Sequence, residues 1–214
     1  PTEIYIFSLR EVVRVCVWIP GWAAASPCSL LIVGDSLSSG HGLATGSSWV
    51  DKLGARLEKT APNWRVINAS VSGDTTQNGL QRLQPALDRH RPQGVLIELG
   101  GNDAMRGTPP ATIRQNLVTL IRQAKAAGAW VVLMEAPVLP NYGKPYADAV
   151  AKLYVDVARE EKIVRVPCFV CKIAVVPGMM QADRIHPNEK AQTAMLDAVW
   201  PYIQPKLRCT VKKP

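Results

Sequence analysis

The amino-acid sequence predicts an α/β protein with a central parallel sheet of about five strands covered by helices on both sides. Short, continuously apolar runs recur along the chain, which is typical of parallel strands buried on both faces. Between these runs lie segments whose apolar residues recur at helical spacing. No internal repeat or linker divides the 214 residues, so we expect one domain with an ample core.

The predicted strands and helices alternate from residue 30 onward. Strands are expected at Leu30–Val33, Trp64–Val71, Gly94–Leu99, Trp130–Met134 and Ile163–Val166. Helices are expected at about 48–60, around 80–87, at about 109–127 with Thr108 as its cap, around 146–157 and at about 188–202. Pro85 should kink or divide the second helix, because proline lacks the N–H that a helix interior requires. Glu98 is the exception to the apolar character of the third strand.

The composition limits the class of protein and its partners. With 47% hydrophobic and 20% charged residues, the chain is expected to be globular. The formal net charge of +8 could indicate nucleic acid or an anionic membrane as a partner. The basic residues are scattered rather than interleaved with aromatic ones, so we expect no nucleic-acid partner. No apolar run is long enough to span a bilayer, so we expect no stable membrane insertion. We also expect a monomer in solution.

Residues 1–29 differ in character from the rest of the chain. The apolar stretch Val12–Trp18 is followed by the small residues Ala23–Ser26, as in an altered export signal. Export would place the protein in a bacterial periplasm or outside the cell. Glu3 and Glu11 are unusual in such a signal, and a tail of little structural consequence is the competing interpretation.

The cysteine pattern gives no disulfide framework. The five cysteines are few and irregularly spaced: Cys16, Cys28, Cys168, Cys171 and Cys209. Cys168 and Cys171 form a CxxC, which could be redox-active or supply half a zinc site. No second CxxC or nearby HxxxH completes such a site. We therefore expect free thiols or one local disulfide.

Polar turns follow each of the first three predicted strands. They are Gly34-Asp35-Ser36, Ser72-Gly73-Asp74 and Gly100-Gly101-Asn102-Asp103. The carboxyl ends of parallel strands lie at one edge of a sheet, so the three turns should converge there. The sequence therefore predicts a functional site at this edge.

Ser36 is a candidate nucleophile, although a serine in this place could equally cap a helix. A serine hydroxyl needs a base to accept its proton. Among the three histidines, His41 is expected to be a local loop residue and His90 a solvated residue at a helix end. His186 follows Asp183 by three residues, near enough for the carboxylate to accept Nδ1–H and leave Nε2 as the base. A helix-capping aspartate beside a surface histidine is the alternative.

Three groups at the same sheet edge could stabilise a developing oxyanion. They are the backbone N–H groups of Ser36 and Gly73 and the side-chain amide of Asn102. Glycine at position 73 allows a substrate to approach the backbone closely. Ordinary turn chemistry would also account for Gly73 and Asn102 taken singly.

Four sequence blocks, taken together and in this order, resemble the GDSL, or SGNH, hydrolase family. The blocks are GDSL at Gly34–Leu37, the Gly73 turn, GGND at Gly100–Asp103 and DRIHPN at Asp183–Asn188. Within the family the chain is most similar to the bacterial thioesterase I, lysophospholipase L1 and arylesterase group. This likeness rests on NASVSGDTT (68–76), ELGGND (98–103) and LPNYG (139–143). The resemblance covers about residues 30–205, leaving the N-terminal segment 1–29 and a basic tail at 206–214.

The resemblance implies a flavodoxin-like three-layer α/β/α fold and a serine esterase without a metal or organic cofactor. By this likeness Ser36 is the nucleophile, His186 the general base and then acid, and Asp183 the carboxylate that orients it. Ser36, Gly73 and Asn102 would form the oxyanion hole. The expected substrates are small-molecule carboxylic esters or acyl thioesters with an apolar acyl group.

The substrate-binding residues are expected in two places. Asp35 and Leu37 flank the nucleophile, and the loop 136–145 offers Val138, Leu139 and Tyr142 as an apolar acyl wall. A surface crossover without a binding role is the alternative for this loop. Arg184 replaces a glycine common in relatives; it could attract anionic substrates, although a solvent-facing position is favoured.

Two other functions compete with the esterase interpretation. A carbohydrate acetylesterase of the same family would use the same residues on acetylated sugars. A non-catalytic lipid-binding module would keep the fold without an activated serine.

Overall fold

The computed structural model describes residues 27–138 and 142–209. The predicted export signal within residues 1–26, Leu139 of the predicted acyl wall and the end of the basic tail at 210–214 lie outside the described residues.

Strands and helices alternate along the described chain. The strands are β1 (Cys28–Gly34), β2 (Trp64–Asn68), β3 (Gly94–Glu98), β4 (Trp130–Met134) and β5 (Val164–Val166). The helices are α1 (Ser36–Ser39), α2 (Trp49–Thr60), α3 (Thr76–His90), α4 (Gly101–Met105), α5 (Pro110–Ala126), α6 (Lys144–Glu160) and α7 (Gln192–Ile203), with 3₁₀ turns at Glu189–Ala191 and Gln204–Lys206. None of these helices combines the length and the apolar character needed to cross a membrane.

The five strands form one parallel sheet in the order β2-β1-β3-β4-β5. After β1 the chain adds β2 on one side of this strand, and it then adds β3 on the opposite side of β1. In open α/β sheets a crevice for ligands opens at the strand ends where the order reverses in this way. Here that place is the carboxyl end of β1, directly before Ser36. The predicted α/β fold class is confirmed.

Two apolar clusters fill the spaces between the sheet and the helices on its two faces. On one face, Leu30 and Ile32 of β1 belong to the same buried cluster as residues of α2 and α7. On the other face, Leu31 and Val33 belong to a cluster with residues of α3, α5 and α6. Successive strand residues point to opposite faces, so a continuously apolar strand supplies both cores. The result is three layers, α/β/α.

Helix caps in the sequence fix where several elements begin. Ser48 caps α2, and its side chain and that of Asp51 bond each other's backbone N–H in a capping box. Thr75 and Asn78 form the same arrangement at the start of α3. These polar pairs satisfy N–H groups that a helix start would otherwise leave without acceptors.

Some predicted boundaries differ from the structure. The second strand ends at Asn68 rather than Val71, where the Asn68 side chain turns to donate a hydrogen bond to Ser38 O at 2.8 Å. The cap of α5 is Pro109 rather than Thr108. Pro85 lies inside α3 and does not divide it, because the neighbouring Leu83 and Leu87 are buried and anchor both sides of the proline.

The disulfides correct the expectation from the cysteine pattern. Cys168 and Cys171 form the local disulfide that the spacing allowed. Cys28 and Cys209, 181 residues apart in sequence, form a second one that was not expected. It joins the start of β1 to the segment that follows α7. Only the folded chain brings these two positions together, so their spacing gave no signal.

We expect the double variant Cys28→Ala/Cys209→Ala to lose about 2–5 kcal/mol of unfolding free energy, because the disulfide closes a long loop in the unfolded chain. Urea unfolding of the oxidised proteins measures the change. The matched control is Cys168→Ala/Cys171→Ala, whose disulfide closes a loop of a few residues and should contribute less. A larger loss in the control than in the Cys28/Cys209 variant would contradict this interpretation.

Candidate active site

Asp35 and Ser36 lie in the turn that connects β1 to α1. Asp35 caps this helix, and its Oδ1 accepts a hydrogen bond from Leu37 N at 3.0 Å. The cap is therefore the aspartate, and Ser36 occupies the first helical position with its hydroxyl free for another role. Gly34 is required before them, because a Cβ at this position would lie 2.8 Å from Glu98 Oε2.

Ser36, His186 and Asp183 form a continuous chain of hydrogen bonds. His186 Nε2 lies 2.8 Å from Ser36 Oγ, and His186 Nδ1 lies 2.6 Å from Asp183 Oδ2. With its proton on Nδ1 the imidazole donates to the carboxylate and accepts from the serine hydroxyl. A serine, a base and a group that orients the base are thus joined in the geometry that nucleophilic catalysis requires.

The Asp183 carboxylate is stabilised in its charged form. Desolvation acts to raise its pKa, but hydrogen bonds from the His186 ring and from the backbone N–H groups of His186 and Ile185 lower the pKa to about 2. Because this pKa lies below the ordinary value of 3.8, the charged Asp183 contributes to the free energy of unfolding above about pH 3.8. That contribution is lost as the pH falls toward 2.

Backbone hydrogen bonds fix the loop that contains His186. Gln181 N donates to His186 O at 2.8 Å, and Asn188 N donates to Met179 O at 2.9 Å. Arg184 has a φ of +58°, in the left-handed region that favours glycine. This arginine is exposed and reaches the rim of the cavity described below.

His41 packs beside the imidazole of His186, with ring centroids 4.6 Å apart. The sequence predicts only a local loop residue at His41, so this contact is an addition from the structure. The Gln181 side chain, which donates to His41 O at 2.9 Å, ties the two loops together.

The predicted oxyanion donors stand on neighbouring turns. Asn102 Nδ2 lies 3.0 Å from Asp35 Oδ2 and 2.9 Å from Asp74 O, so both of its N–H bonds point at acceptors. Gly73 has a φ of +84°, and a Cβ built on it would meet no atom within 4 Å. The backbone at Gly73 therefore has open space beside it, whereas Asn102 is buried.

An apolar cavity of about 240 Å³ opens beside Ser36 and His186. Of the predicted substrate-binding residues, Asp35, Leu37 and Val138 line it. Tyr142 does not; its hydroxyl donates to Met105 O, so it supports a residue that does. Gly73 and Asn102 lie outside the lining, whereas Gly101 belongs to it. Pro137, from the predicted loop 136–145, also lines the cavity. The lining residues that sequence reasoning missed are Met105, Val170, Cys171, Ala174, Met180 and Ile185.

Three of the missed lining residues come from the segment that holds the Cys168–Cys171 disulfide. Val170, Cys171 and Ala174 project from it toward the cavity. Its apolar character was the available signal, but the segment has no regular helical or strand period. The bonded cysteines cannot serve as thiolate ligands, and the described residues contain no group of three His, Cys, Asp or Glu side chains that could hold a metal ion.

Comparison with known proteins gives matches over most of the chain. Residues 32–194 match the GDSL-like Lipase/Acylhydrolase family. The chain is 46% identical to esterase TesA of Pseudomonas aeruginosa, over 86% of this chain and 91% of the relative. It is 40% identical to thioesterase 1/protease 1/lysophospholipase L1 of Escherichia coli K12, over 85% and 86%. A crystal structure of TesA superposes with a TM-score of 0.81 at 46% identity, covering 84% of this chain and 99% of that one.

We expect Asp183→Asn to lower kcat by roughly 10⁴-fold while the protein stays folded. The asparagine Oδ1 can still accept the two backbone N–H groups, but its NH₂ would face Nδ1 and favour the tautomer with the proton on Nε2. Steady-state hydrolysis of a p-nitrophenyl ester measures the loss. Asp148→Asn, at an exposed helix position, is the control and should not change kcat. A kcat of the Asp183→Asn variant within a few-fold of the wild-type kcat would exclude an orienting role for Asp183.

Proposed function

The chain belongs to the GDSL-like lipase/acylhydrolase family, and we propose that Ser36 is the nucleophile that forms an acyl-enzyme during ester hydrolysis. The protein is an ester hydrolase, related to enzymes named as esterase and thioesterase. The observation that supports the role of Ser36 most directly is its hydrogen bond to His186, which is bonded in turn to Asp183.

The proposed reaction has two halves. Ser36 Oγ attacks the carbonyl carbon of the ester or thioester while His186 Nε2 takes the hydroxyl proton. The tetrahedral intermediate collapses, and His186 returns the proton to the departing alcohol or thiol. A water molecule, deprotonated by the same nitrogen, then attacks the acyl-enzyme. The second intermediate collapses as His186 returns this proton to Ser36 Oγ, which releases the acid and restores the serine hydroxyl. Asp183 stabilises the imidazolium in both halves.

The oxyanion of each intermediate is assigned to the N–H groups of Ser36, Gly73 and Asn102. Both N–H bonds of Asn102 already have acceptors, in Asp35 and in Asp74 O. The bond to the neutral carbonyl of Asp74 is the weaker of the two, because a charged acceptor strengthens a hydrogen bond. We therefore propose that the substrate oxygen shares or replaces the Asp74 contact while Asp35 keeps the amide oriented.

The proposed substrates carry an apolar acyl group. The cavity walls are mainly aliphatic, and side chains such as Val138, Val170 and Ala174 offer no hydrogen bonds to a sugar. This favours an acyl ester or thioester over the acetylated carbohydrate considered as an alternative. A hydrogen-bonded Ser–His–Asp chain likewise argues against a binding module without catalysis.

We propose that the protein works in the periplasm or outside the cell. Two disulfides support this, because such bonds persist in oxidising compartments and are rare in the cytosol. The monomeric state expected from the sequence stays a prediction.

Ser36→Ala should abolish hydrolysis of p-nitrophenyl acyl esters and labelling by a fluorophosphonate probe, with an unchanged circular dichroism spectrum. Without Oγ no acyl-enzyme or phosphonyl-enzyme bond can form. Ser47→Ala, in the loop before α2, is the control and should behave as the wild type. Turnover of the Ser36 variant near the wild-type rate would exclude the proposed nucleophile.

Asn102→Ala should lower kcat by roughly 10²–10³, the usual loss for one oxyanion donor. Asn116→Ala tests whether loss of any buried amide has this effect; Asn116 donates to Thr76 Oγ1 at 2.9 Å, away from the cavity. Its kcat should stay near the wild-type value. An effect of the Asn102 variant on KM alone would make this amide a ground-state contact instead.

A further inference from the structure

Glu98 is a buried carboxyl group that the proposed reaction does not use. It ends β3, where it pairs in register with Gly34 of β1, next to the turn that carries Ser36. Glu98 exposes only 1% of its surface, and Asp35 exposes 3%. Glu98 Oε2 accepts hydrogen bonds from Ser38 Oγ at 2.7 Å and from Asp35 N at 3.4 Å, so the Glu98 carboxyl group lies against Asp35.

The carboxyl groups of Glu98 and Asp35 are buried at neighbouring positions, and a hydrogen bond between them requires a proton on one of the two. Two buried carboxylates in contact would repel each other and lose their hydration, so one of the pair stays neutral. Neither group is bonded to a lysine or arginine among the described residues. The other titratable groups that face the pair are His186 on the cavity side and Tyr154 from α6.

The surroundings place that proton on Glu98. Burial raises the pKa of Glu98 well above its usual range, and the negative charge of Asp35 raises the pKa further. Burial also raises the pKa of Asp35, to about 6, but hydrogen bonds from Leu37 N and Asn102 favour its charged form. Glu98 Oε1, by contrast, is buried without a hydrogen-bond donor, which a neutral acid tolerates better than a carboxylate does.

We propose that Glu98 is a positioning residue: as a neutral acid it donates a hydrogen bond to Asp35 and so fixes the carboxylate that orients Asn102 and caps the helix of Ser36. Asp35 Oδ2 accepts from Asn102 Nδ2, and Asp35 Oδ1 accepts from Leu37 N. One carboxylate thus connects the proposed nucleophile turn with the proposed oxyanion donor. The inference rests on the proposed function, because the orientation of Asn102 matters only if its amide binds the oxyanion.

Loss of this donor would act on catalysis through Asp35. Without Glu98, the Asp35 carboxylate can rotate or take up a proton of its own. A protonated Asp35 would present O–H to the Asn102 amide, which would then turn its oxygen rather than its nitrogen toward Asp35. The value of kcat should fall because the Asn102 amide no longer points its N–H at the oxyanion. The apolar cavity proposed to bind the acyl group should stay unchanged, so KM should change little.

The test compares Glu98→Gln with Glu98→Met by steady-state hydrolysis of a p-nitrophenyl ester. Glutamine keeps a donor for Asp35 and an acceptor for Ser38, so its kcat should stay within about three-fold of the wild type. Methionine has similar length but neither group, and its kcat should fall about ten-fold or more at nearly constant KM. Equal losses in both variants, or a wild-type kcat in the methionine variant, would overturn the proposal.

Glu135→Met is the matched control. Glu135 is a partly buried glutamate at the end of the adjacent strand β4, where it pairs with Arg165 and has no contact with Asp35. Its replacement should change stability without lowering kcat. A ten-fold loss in this control would show that the Glu98 effect is a general consequence of losing a buried carboxyl group.

The pH–rate profile of Glu98→Gln decides the question even if the methionine variant does not fold. A neutral Glu98 and a glutamine have the same charge, so the profile should coincide with that of the wild type. If Glu98 ionised in the working range, removing its charge near Asp35 and His186 would shift the profile and exclude the proposal. Fluorophosphonate labelling of the wild type at Ser36 tests the proposed function separately, since it does not depend on Glu98.

Discussion

The pairing of β1 with β3 is the constraint on which the site depends. In the order β2-β1-β3-β4-β5 the strand order reverses at β1, so a crevice opens at the carboxyl end of this strand. The register sets Gly34 beside Glu98, and the residues that follow each strand are therefore neighbours in space. Ser36 and Asn102 lie 66 positions apart in sequence, yet this register alone brings their two turns together.

Hydrogen bonds between the turns convert this proximity into a fixed arrangement. Asp103 accepts from Thr76 N at 2.8 Å and from Thr76 Oγ1 at 2.6 Å, which joins the turn after β3 to the start of α3. Arg82 bonds Ala69 O and pairs with Asp74, which holds the ends of the Gly73 turn. Because these hydrogen bonds already hold the turns in place, the donors can face a substrate without a large cost of reorganisation.

Local signals made the fold and the three polar turns predictable, and tertiary contacts account for what was missed. Apolar runs and glycine turns are properties of short segments, so β1, Ser36 and Asn102 could be placed from sequence. The Cys28–Cys209 disulfide and the contact of His41 with His186 arise only after distant segments meet. The segment that contains Val170 and Ala174 has no regular period, so its sequence does not indicate which of its residues face the cavity.

The chemical groups and the acyl wall therefore depend on different parts of the fold. The donors and Ser36 are fixed by strand ends, whose positions the buried sheet determines. The wall beside His186 is built from the segment after β5, which lacks regular secondary structure and is cross-linked by Cys168–Cys171. Such a segment can change its side chains without disturbing the sheet register. Substrate preference can thus vary through Val170 and Ala174 while the geometry around Ser36 is maintained by β1 and β3.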